Sequence, residues 1–219
     1  MKIFRHLTTS LVVVCAVIAA VVFVFSLVVV FVVSAFRDIE ISAWNLVATQ
    51  IARWFLLFIG VYVIHNVLPI AVAHGRTRRE FLVASSGFVV VLAAVMAVLA
   101  WLGFLVEGGI YSLMDWGSDA HGTLPQYFLM FLVWTTAGMF CAASFDRYGP
   151  AGIFSVPVAF VLVFAPSMWV PGSGEIPFVP DVVTVADFSW HLLSVAAFVI
   201  ASLGTWAVAR HMPVHVRTS

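Results

Sequence analysis

Three arginines, Arg76, Arg78 and Arg79, form the densest group of chemically active side chains in the sequence. They stand in a short polar stretch between two long apolar runs. A guanidinium group binds carboxylates and phosphates through paired hydrogen bonds. The cluster therefore predicts a surface that binds lipid headgroups or a soluble protein.

The residues around these arginines predict a rigid turn. Gly75 suits the left-handed backbone that ends many helices. Thr77 and Glu80 have the spacing of a capping box, in which each side chain accepts a hydrogen bond from the other residue's backbone amide. A turn fixed at both ends can transmit a push to its two helices, which a flexible basic loop cannot.

Among the polar residues inside the apolar runs, His65, Asn66, Thr135 and Thr136 are candidates for a substrate path. We expect all four near the middle of the membrane, because His65 lies about nine residues, or ~13 Å, from the basic turn. Two interpretations remain open, a substrate path and hydrogen bonding between helices, and the second is the more common use of such residues. Arg53 is expected to extend its guanidinium to the outer surface.

Motifs for catalysis are absent from the sequence. It contains no His-Glu-x-x-His metal motif and no Gly-x-Ser-x-Gly nucleophile motif. A P-loop requires a lysine after its second glycine, and Lys2 is the only lysine. We therefore predict no catalytic residue, no metal ion and no cofactor, and we expect any ATP hydrolysis to take place in a separate subunit.

The composition predicts the elements that carry these residues. Of the 219 residues, 63 % are hydrophobic and 9 % are charged, whereas soluble proteins contain roughly 25 % charged residues. A water-soluble fold is excluded, and ten basic and ten acidic residues leave no net charge that would attract nucleic acid. A helix crosses a bilayer with roughly 20 residues. Uncharged runs of about this length or more cover residues 11–36, 54–73, 81–106, 124–144, 150–170 and 190–209. The predicted fold is a single-domain, all-α integral membrane protein with six transmembrane helices.

Charges in the connecting segments predict the orientation of these helices. Eight of the ten basic residues fall on one predicted side and eight of the ten acidic residues on the other. The basic side carries Lys2, Arg5, Arg76, Arg78, Arg79, Arg147, Arg210 and Arg217. Because segments rich in arginine and lysine stay in the cytoplasm, we predict a cell-membrane protein with both termini cytoplasmic.

The basic turn also resembles a known family. Its pattern of a proline followed by Gly-x-Thr-Arg-Arg-x-Phe is made by Pro69, Gly75, Thr77, Arg78, Arg79 and Phe81. This pattern is similar to that of class 2 permeases of ATP-binding-cassette (ABC) transporters. In that family six spans are typical, and the connection between the second and third spans contacts the ATPase subunit. The resemblance implies that the docking residues are Arg76, Thr77, Arg78, Arg79 and Glu80.

The resemblance implies a permease that pairs with a second permease subunit, identical or related, and with an ABC ATPase, among membrane lipids. The spans carry no carboxylate of the kind that proton- or sodium-coupled carriers place near the midplane, which favours a hydrophobic or amphipathic substrate. Export is favoured over import, because the interior is apolar and the outer segments are too short for a domain that captures substrate. Two alternatives stay open. One is a non-transporting membrane sensor or assembly partner, and the other is an ATP-independent carrier.

Overall fold

The computed structural model describes residues 2–36, 42–116, 121–169 and 187–211, and these residues contain helices and no strand. The helices, in chain order, are α1 Lys2–Ser34, α2 Ala43–Ala73, α3 Arg78–Met114, α4 Leu124–Tyr148, α5 Ser155–Trp169 and α6 Asp187–Ala209. Residue 170, the predicted end of the fifth span, and Arg217, one of the charges behind the predicted orientation, lie outside the described residues.

Five helical segments are long and apolar enough to cross a membrane. They are Leu11–Ser34, Ala43–Ala73, Arg78–Met114, Leu124–Phe164 and Trp190–Ala209. Large apolar side chains also face outward, and on α1 Val21 is 62 % and Phe25 is 66 % exposed. Soluble proteins rarely expose extended apolar surface. These features are those of an all-helical, multi-pass membrane protein.

The segment Leu124–Phe164 reverses direction partway along. Gly149, which is followed by a proline, has a positive φ of 58°, and a 3₁₀ segment, Gly149–Phe154, leads into α5. Beyond this turn the chain runs back along α4, because the Trp134 indole N–H donates to the Ser167 hydroxyl at 3.1 Å. Helices α4 and α5 are therefore antiparallel neighbours.

Helix α2 is longer than the uncharged run that predicted it. It begins at Ala43 rather than at Trp54. Counting uncharged residues stops at the first charge, whereas a capped helix continues through polar positions. Ser42 provides the cap, since its hydroxyl accepts a hydrogen bond from the Asn45 N–H at 2.9 Å. Helix α3 extends past both ends of its predicted run in the same way.

Helix α4 forms the centre of the described bundle, with α2, α3, α5 and α6 packed around it. Its Phe131 is fully buried. Helices α2 and α4 run in the same direction, because Trp54 meets Trp134 (ring centroids 4.9 Å apart) and His65 meets Asp146 further along both helices. Helix α1 lies at the periphery, against α3 and the first turn of α2.

Two glycines let α2 and α4 touch backbone to backbone. A Cβ atom on Gly60 would overlap the Thr135 carbonyl oxygen, and a Cβ atom on Gly138 would overlap the Leu57 carbonyl oxygen. Small residues allow this close approach between membrane helices. Gly138 therefore serves helix packing within the chain.

Helix α2 also contains two widened π-helical turns, Val47–Ile51 and Val63–Val67. The second ends two residues before Pro69, whose ring nitrogen has no hydrogen to donate to the carbonyl of His65. Widening the turn is one way to accommodate that lost hydrogen bond. Turns of this type are rare and occur frequently at functional sites.

Candidate functional site

The α2–α3 turn comprises residues 74–80, the connection between the two helices together with the first residues of α3, and backbone hydrogen bonds close it where α2 ends. Gly75 has a φ of +75°. Its N–H donates to the Val72 carbonyl at 2.9 Å, and the N–H of Arg76 donates to the Ala71 carbonyl at 3.1 Å. These two bonds form a Schellman motif, which satisfies the last carbonyls of α2. The predicted left-handed glycine cap is confirmed.

The start of α3 is closed by the predicted capping box. The N–H of Glu80 donates to the Thr77 hydroxyl at 3.2 Å, and the N–H of Thr77 donates to the Glu80 carboxylate at 3.3 Å. The guanidinium of Arg76 lies 4.0 Å from the same carboxylate. The α2–α3 turn is therefore short and hydrogen-bonded on both sides, as the sequence predicts.

All five residues that the family resemblance implies for docking lie on this turn. Arg76, Thr77, Arg79 and Glu80 are exposed, whereas Arg78 is half-buried. The Arg78 guanidinium donates to the backbone carbonyl of Arg210, just past the end of α6, at 3.1 Å. Arg76 and Arg79 thus point two cations outward, while Arg78 ties the turn to α6.

A second arginine holds the end of α6. The Arg147 guanidinium, in the last turn of α4, lies 3.3 Å from the Ala207 carbonyl and 3.4 Å from the Val208 carbonyl, and donates to both. Cations stabilise helix C-termini because the last carbonyls lack partners within the helix. Residues so far apart in the chain gave no sequence signal for this contact.

The structure separates the residues of the predicted path. His65 Nδ1 lies 2.7 Å from an Asp146 carboxylate oxygen in the last turn of α4, and the His65 side chain is 49 % exposed. Asn66 is exposed as well. Helix α2 continues for ~12 Å beyond His65, in agreement with the count from the basic turn. His65 and Asn66 lie beside the last turn of α4, on the outside of the described bundle.

Thr135 and Thr136 are buried inside the bundle instead. Each hydroxyl donates to a carbonyl of its own helix, from Thr135 to Phe131 at 2.7 Å and from Thr136 to Leu132 at 2.9 Å. Bonds of this kind satisfy a hydroxyl without a partner from another helix. The two threonines and the exposed pair on α2 do not share one surface.

Thr136 also borders a small crevice between α3, α4 and α6. The other hydroxyl-bearing residues that line it are Ser85, Ser86, Ser202 and Thr205. The two on α6 are three residues apart and so share a helix face. That spacing is a sequence signal for this crevice.

At the opposite end of α2, Glu107 is a buried residue that the sequence does not single out. It is 3 % exposed, and its carboxylate accepts the Ser42 hydroxyl at 2.5 Å and the Trp44 backbone N–H at 3.1 Å. The Trp44 indole N–H donates to the Ala100 carbonyl of α3 at 2.8 Å. These bonds join the start of α2 to α3.

The predicted outward extension of Arg53 is wrong. The residue is 6 % exposed. Its guanidinium carbon lies 5.1 Å from the centre of the Trp134 ring, and the guanidinium also donates to the Gln50 side chain. An aromatic face and an amide oxygen stabilise a cation inside the bundle, so extension to the surface is not required.

The described residues contain no group of three or more histidine, cysteine, aspartate or glutamate side chains that could hold a metal ion. The α2–α3 turn presents the exposed cations of Arg76 and Arg79 on a hydrogen-bonded backbone. No protein-family model matches the chain, and no curated protein or solved structure matches it either.

Proposed function

We propose that the chain is the permease subunit of an ATP-driven ABC transporter and that a separate ABC ATPase subunit docks on the α2–α3 turn. The observation that carries this proposal is the turn itself, where Arg76 and Arg79 are exposed on a backbone closed at both ends. The resemblance of residues 69–81 to class 2 permeases supports the assignment.

In the proposed topology the chain crosses the cell membrane six times, with both termini in the cytoplasm. The reversal at Gly149 supports this count, because it divides Leu124–Phe164 into two antiparallel arms. Arg78 and Arg147 both donate to carbonyls at the end of α6. These contacts support a common side of the membrane for the α2–α3 turn, the turn after α4 and the end of α6. Positive charge on that side favours the cytoplasm.

The proposed coupling uses the two connections between α2 and α3. The capped turn joins them at the cytoplasmic end, and Glu107 binds the start of α2 at the other end. A push on the turn is expected to move both helices together. ATP-driven closure of the ATPase pair would then favour one of two helix arrangements and open the pathway to the opposite side.

The proposed cargo is a hydrophobic or amphipathic molecule that is exported between this chain and a second permease subunit, identical or related. The bundle's buried hydroxyls support an apolar cargo, because those of Ser85, Thr135 and Thr205 donate to carbonyls of their own helices. The carboxylate of Glu107 is likewise engaged by two donors. These groups are therefore not available to bind a hydrophilic solute.

The proposal is tested by asking whether an ATPase subunit co-purifies with the chain. The tagged chain is purified in mild detergent, the accompanying P-loop protein is identified by mass spectrometry, and vanadate-sensitive ATP hydrolysis is measured. Arg79→Glu is expected to lower the recovered activity about tenfold or more, since a charge-assisted contact contributes roughly 1.5–3 kcal/mol.

Arg210→Glu is the matched control, because Arg210 is also an exposed cation near the same end of the bundle but lies outside the turn. The Arg78 guanidinium donates its hydrogen bond to the backbone carbonyl of Arg210, which the substitution leaves in place. We expect Arg210→Glu to retain the ATPase. Equal loss in both variants, or wild-type protein that recovers no ATPase, would contradict the proposal.

A further inference from the structure

An apolar cleft lies between α1, α2 and α3, well away from the α2–α3 turn. Its cavity volume is about 80 Å³, and the whole concavity, with the open space at its mouth included, is about 510 Å³. Cys15 and Val22 of α1, Ala48 and Phe55 of α2, and Leu99 of α3 line its walls, and Phe131 of α4 forms part of its floor.

The lining offers almost no hydrogen-bonding group. The indole of Trp44 reaches the cleft, but its N–H already donates to the Ala100 carbonyl at 2.8 Å. The Cys15 thiol is a weak donor and acceptor. Water occupies a cavity stably only with two or more polar partners, so an apolar cavity stays dry or takes an apolar ligand. The chemistry of the cleft therefore matches hydrocarbon.

The mouth of the cleft opens sideways between two helices. Ile18 of α1 is 40 % exposed and Ile51 of α2 is 49 % exposed, whereas Cys15 and Ala48, deeper in the cleft, are 0 % and 1 % exposed. Both rim residues belong to segments long and apolar enough to cross a membrane. The opening consequently faces the depth at which a bilayer contains acyl chains.

The backbone of one wall is itself unusual. The π-helical turn Val47–Ile51 forms this wall, and the Thr49 hydroxyl within it donates to the Asn45 carbonyl at 2.6 Å. Turns of this type recur at functional sites. Small side chains at Ala19 and Ala52 on the facing helices keep the space between α1 and α2 open.

We propose that this cleft binds one acyl chain of a membrane phospholipid, which enters laterally between α1 and α2. The occupant is assigned by three observations: the lining is apolar, the mouth lies between α1 and α2, and both helices are long and apolar enough to cross a membrane. The proposal requires a membrane location but no ATPase, and it stands or fails separately from the proposed transport activity.

The experiment uses the full chain in phosphatidylcholine vesicles that contain a small fraction of phosphatidylcholine with a diazirine in the middle of one acyl chain. After illumination, the labelled residues are located by mass spectrometry. We expect adducts on cleft-lining residues of α1 and α2 to exceed those on Val161, an outward residue of α5 that is 73 % exposed and serves as the internal reference.

Filling the cleft provides the decisive comparison. The double variant Ala19→Leu plus Ala52→Leu is expected to lower cleft labelling about fivefold or more while labelling of Val161 stays constant, because the added methylenes take up the space. Ala20→Leu is the matched control, since Ala20 is an exposed neighbour on the same helix. It should leave cleft labelling unchanged.

Three results would overturn the assignment. Cleft labelling no stronger than that of Val161 would show that no chain is held, and labelling insensitive to the filling substitutions would show that the lipid lies elsewhere. Weak labelling together with dimeric protein, cross-linked through α1, would assign the cleft to a second copy of the chain. If the double variant fails to fold, the milder Ala19→Val is compared with Ala20→Val in the same assay.

Discussion

The hydroxyl of Ser42 donates a 2.5 Å hydrogen bond to the buried carboxylate of Glu107, and the backbone N–H of Trp44 donates to the same carboxylate. A negative group at the first turn of α2 complements the helix dipole and satisfies amides that have no partner within the helix. The carboxylate of Glu107, a residue of α3, therefore caps the start of α2. Because the α2–α3 turn connects the opposite ends of these helices, the two helices are joined at both ends.

Removing the Ser42 hydroxyl should therefore destabilise the protein. Ser42→Ala deletes the helix cap and one charge-assisted hydrogen bond to a buried carboxylate, which together are worth roughly 1–3 kcal/mol. We expect the free energy of unfolding, measured by denaturant titration in detergent micelles, to fall by about that amount. Ser112→Ala, at an exposed serine of α3, should change it by less than about 0.5 kcal/mol. Equal effects would show that the Ser42–Glu107 contact is not structural.

The close backbone contact between α2 and α4 predicts that alanine in place of either glycine at this contact destabilises the protein. Gly60→Ala and Gly138→Ala each introduce a Cβ into a carbonyl oxygen of the facing helix, and overpacking against backbone costs about 1–3 kcal/mol or more. Gly87→Ala is the control, because a Cβ there meets no atom within 4 Å. It should stabilise α3 by roughly 0.5–1 kcal/mol. Thermal unfolding of the three variants in nanodiscs checks this order.

The positive φ of Gly75 predicts a local effect on the turn. Gly75→Ala should cost roughly 1–2 kcal/mol, since a Cβ disfavours the left-handed conformation, and Gly75→Asn should cost less because asparagine tolerates it. The readout is hydrogen exchange at the Arg76 amide, which donates to Ala71 in the Schellman motif. Exchange should accelerate about tenfold with alanine. Unchanged exchange in Gly75→Ala would mean that the motif does not hold the turn.

The His65–Asp146 pair should contribute little to stability despite its 2.7 Å separation. Its side chains are 49 % and 20 % exposed, and exposed pairs typically contribute about 1 kcal/mol or less. A double-mutant cycle with His65→Ala and Asp146→Ala is expected to give a coupling energy below about 1 kcal/mol. A coupling of several kcal/mol would instead identify the pair as a principal link between α2 and α4.

Features set by neighbouring residues could be read from the sequence. Gly75, Thr77 and Glu80 make their hydrogen bonds within a few residues, so their spacing alone predicts both caps of the turn. Apolar runs likewise predict where helices occur, because burial in lipid depends on composition over about 20 residues. The break at Gly149 follows from a glycine and a proline side by side.

Features set by packing between distant residues could not be read in this way. Counting from the basic turn gives the distance of His65 from that turn, but it carries no information on the neighbours of His65, which lies beside Asp146 in the last turn of α4. Glu107 marked the end of an uncharged run, yet it is buried because Ser42 and Trp44 supply its donors. Arg53 is buried because Trp134, from another helix, covers its guanidinium.

The proposed docking of an ATPase on the α2–α3 turn is tested most directly by protection from labelling. Cys15 and Cys141 are replaced by alanine, and a single cysteine is introduced as Arg79→Cys or, as the control, Arg210→Cys. Labelling by a membrane-impermeant maleimide is then followed with and without the co-purifying P-loop protein. The account predicts that assembly slows labelling at position 79 and leaves it unchanged at position 210. Equal labelling rates at position 79 in the free and the assembled protein would contradict it.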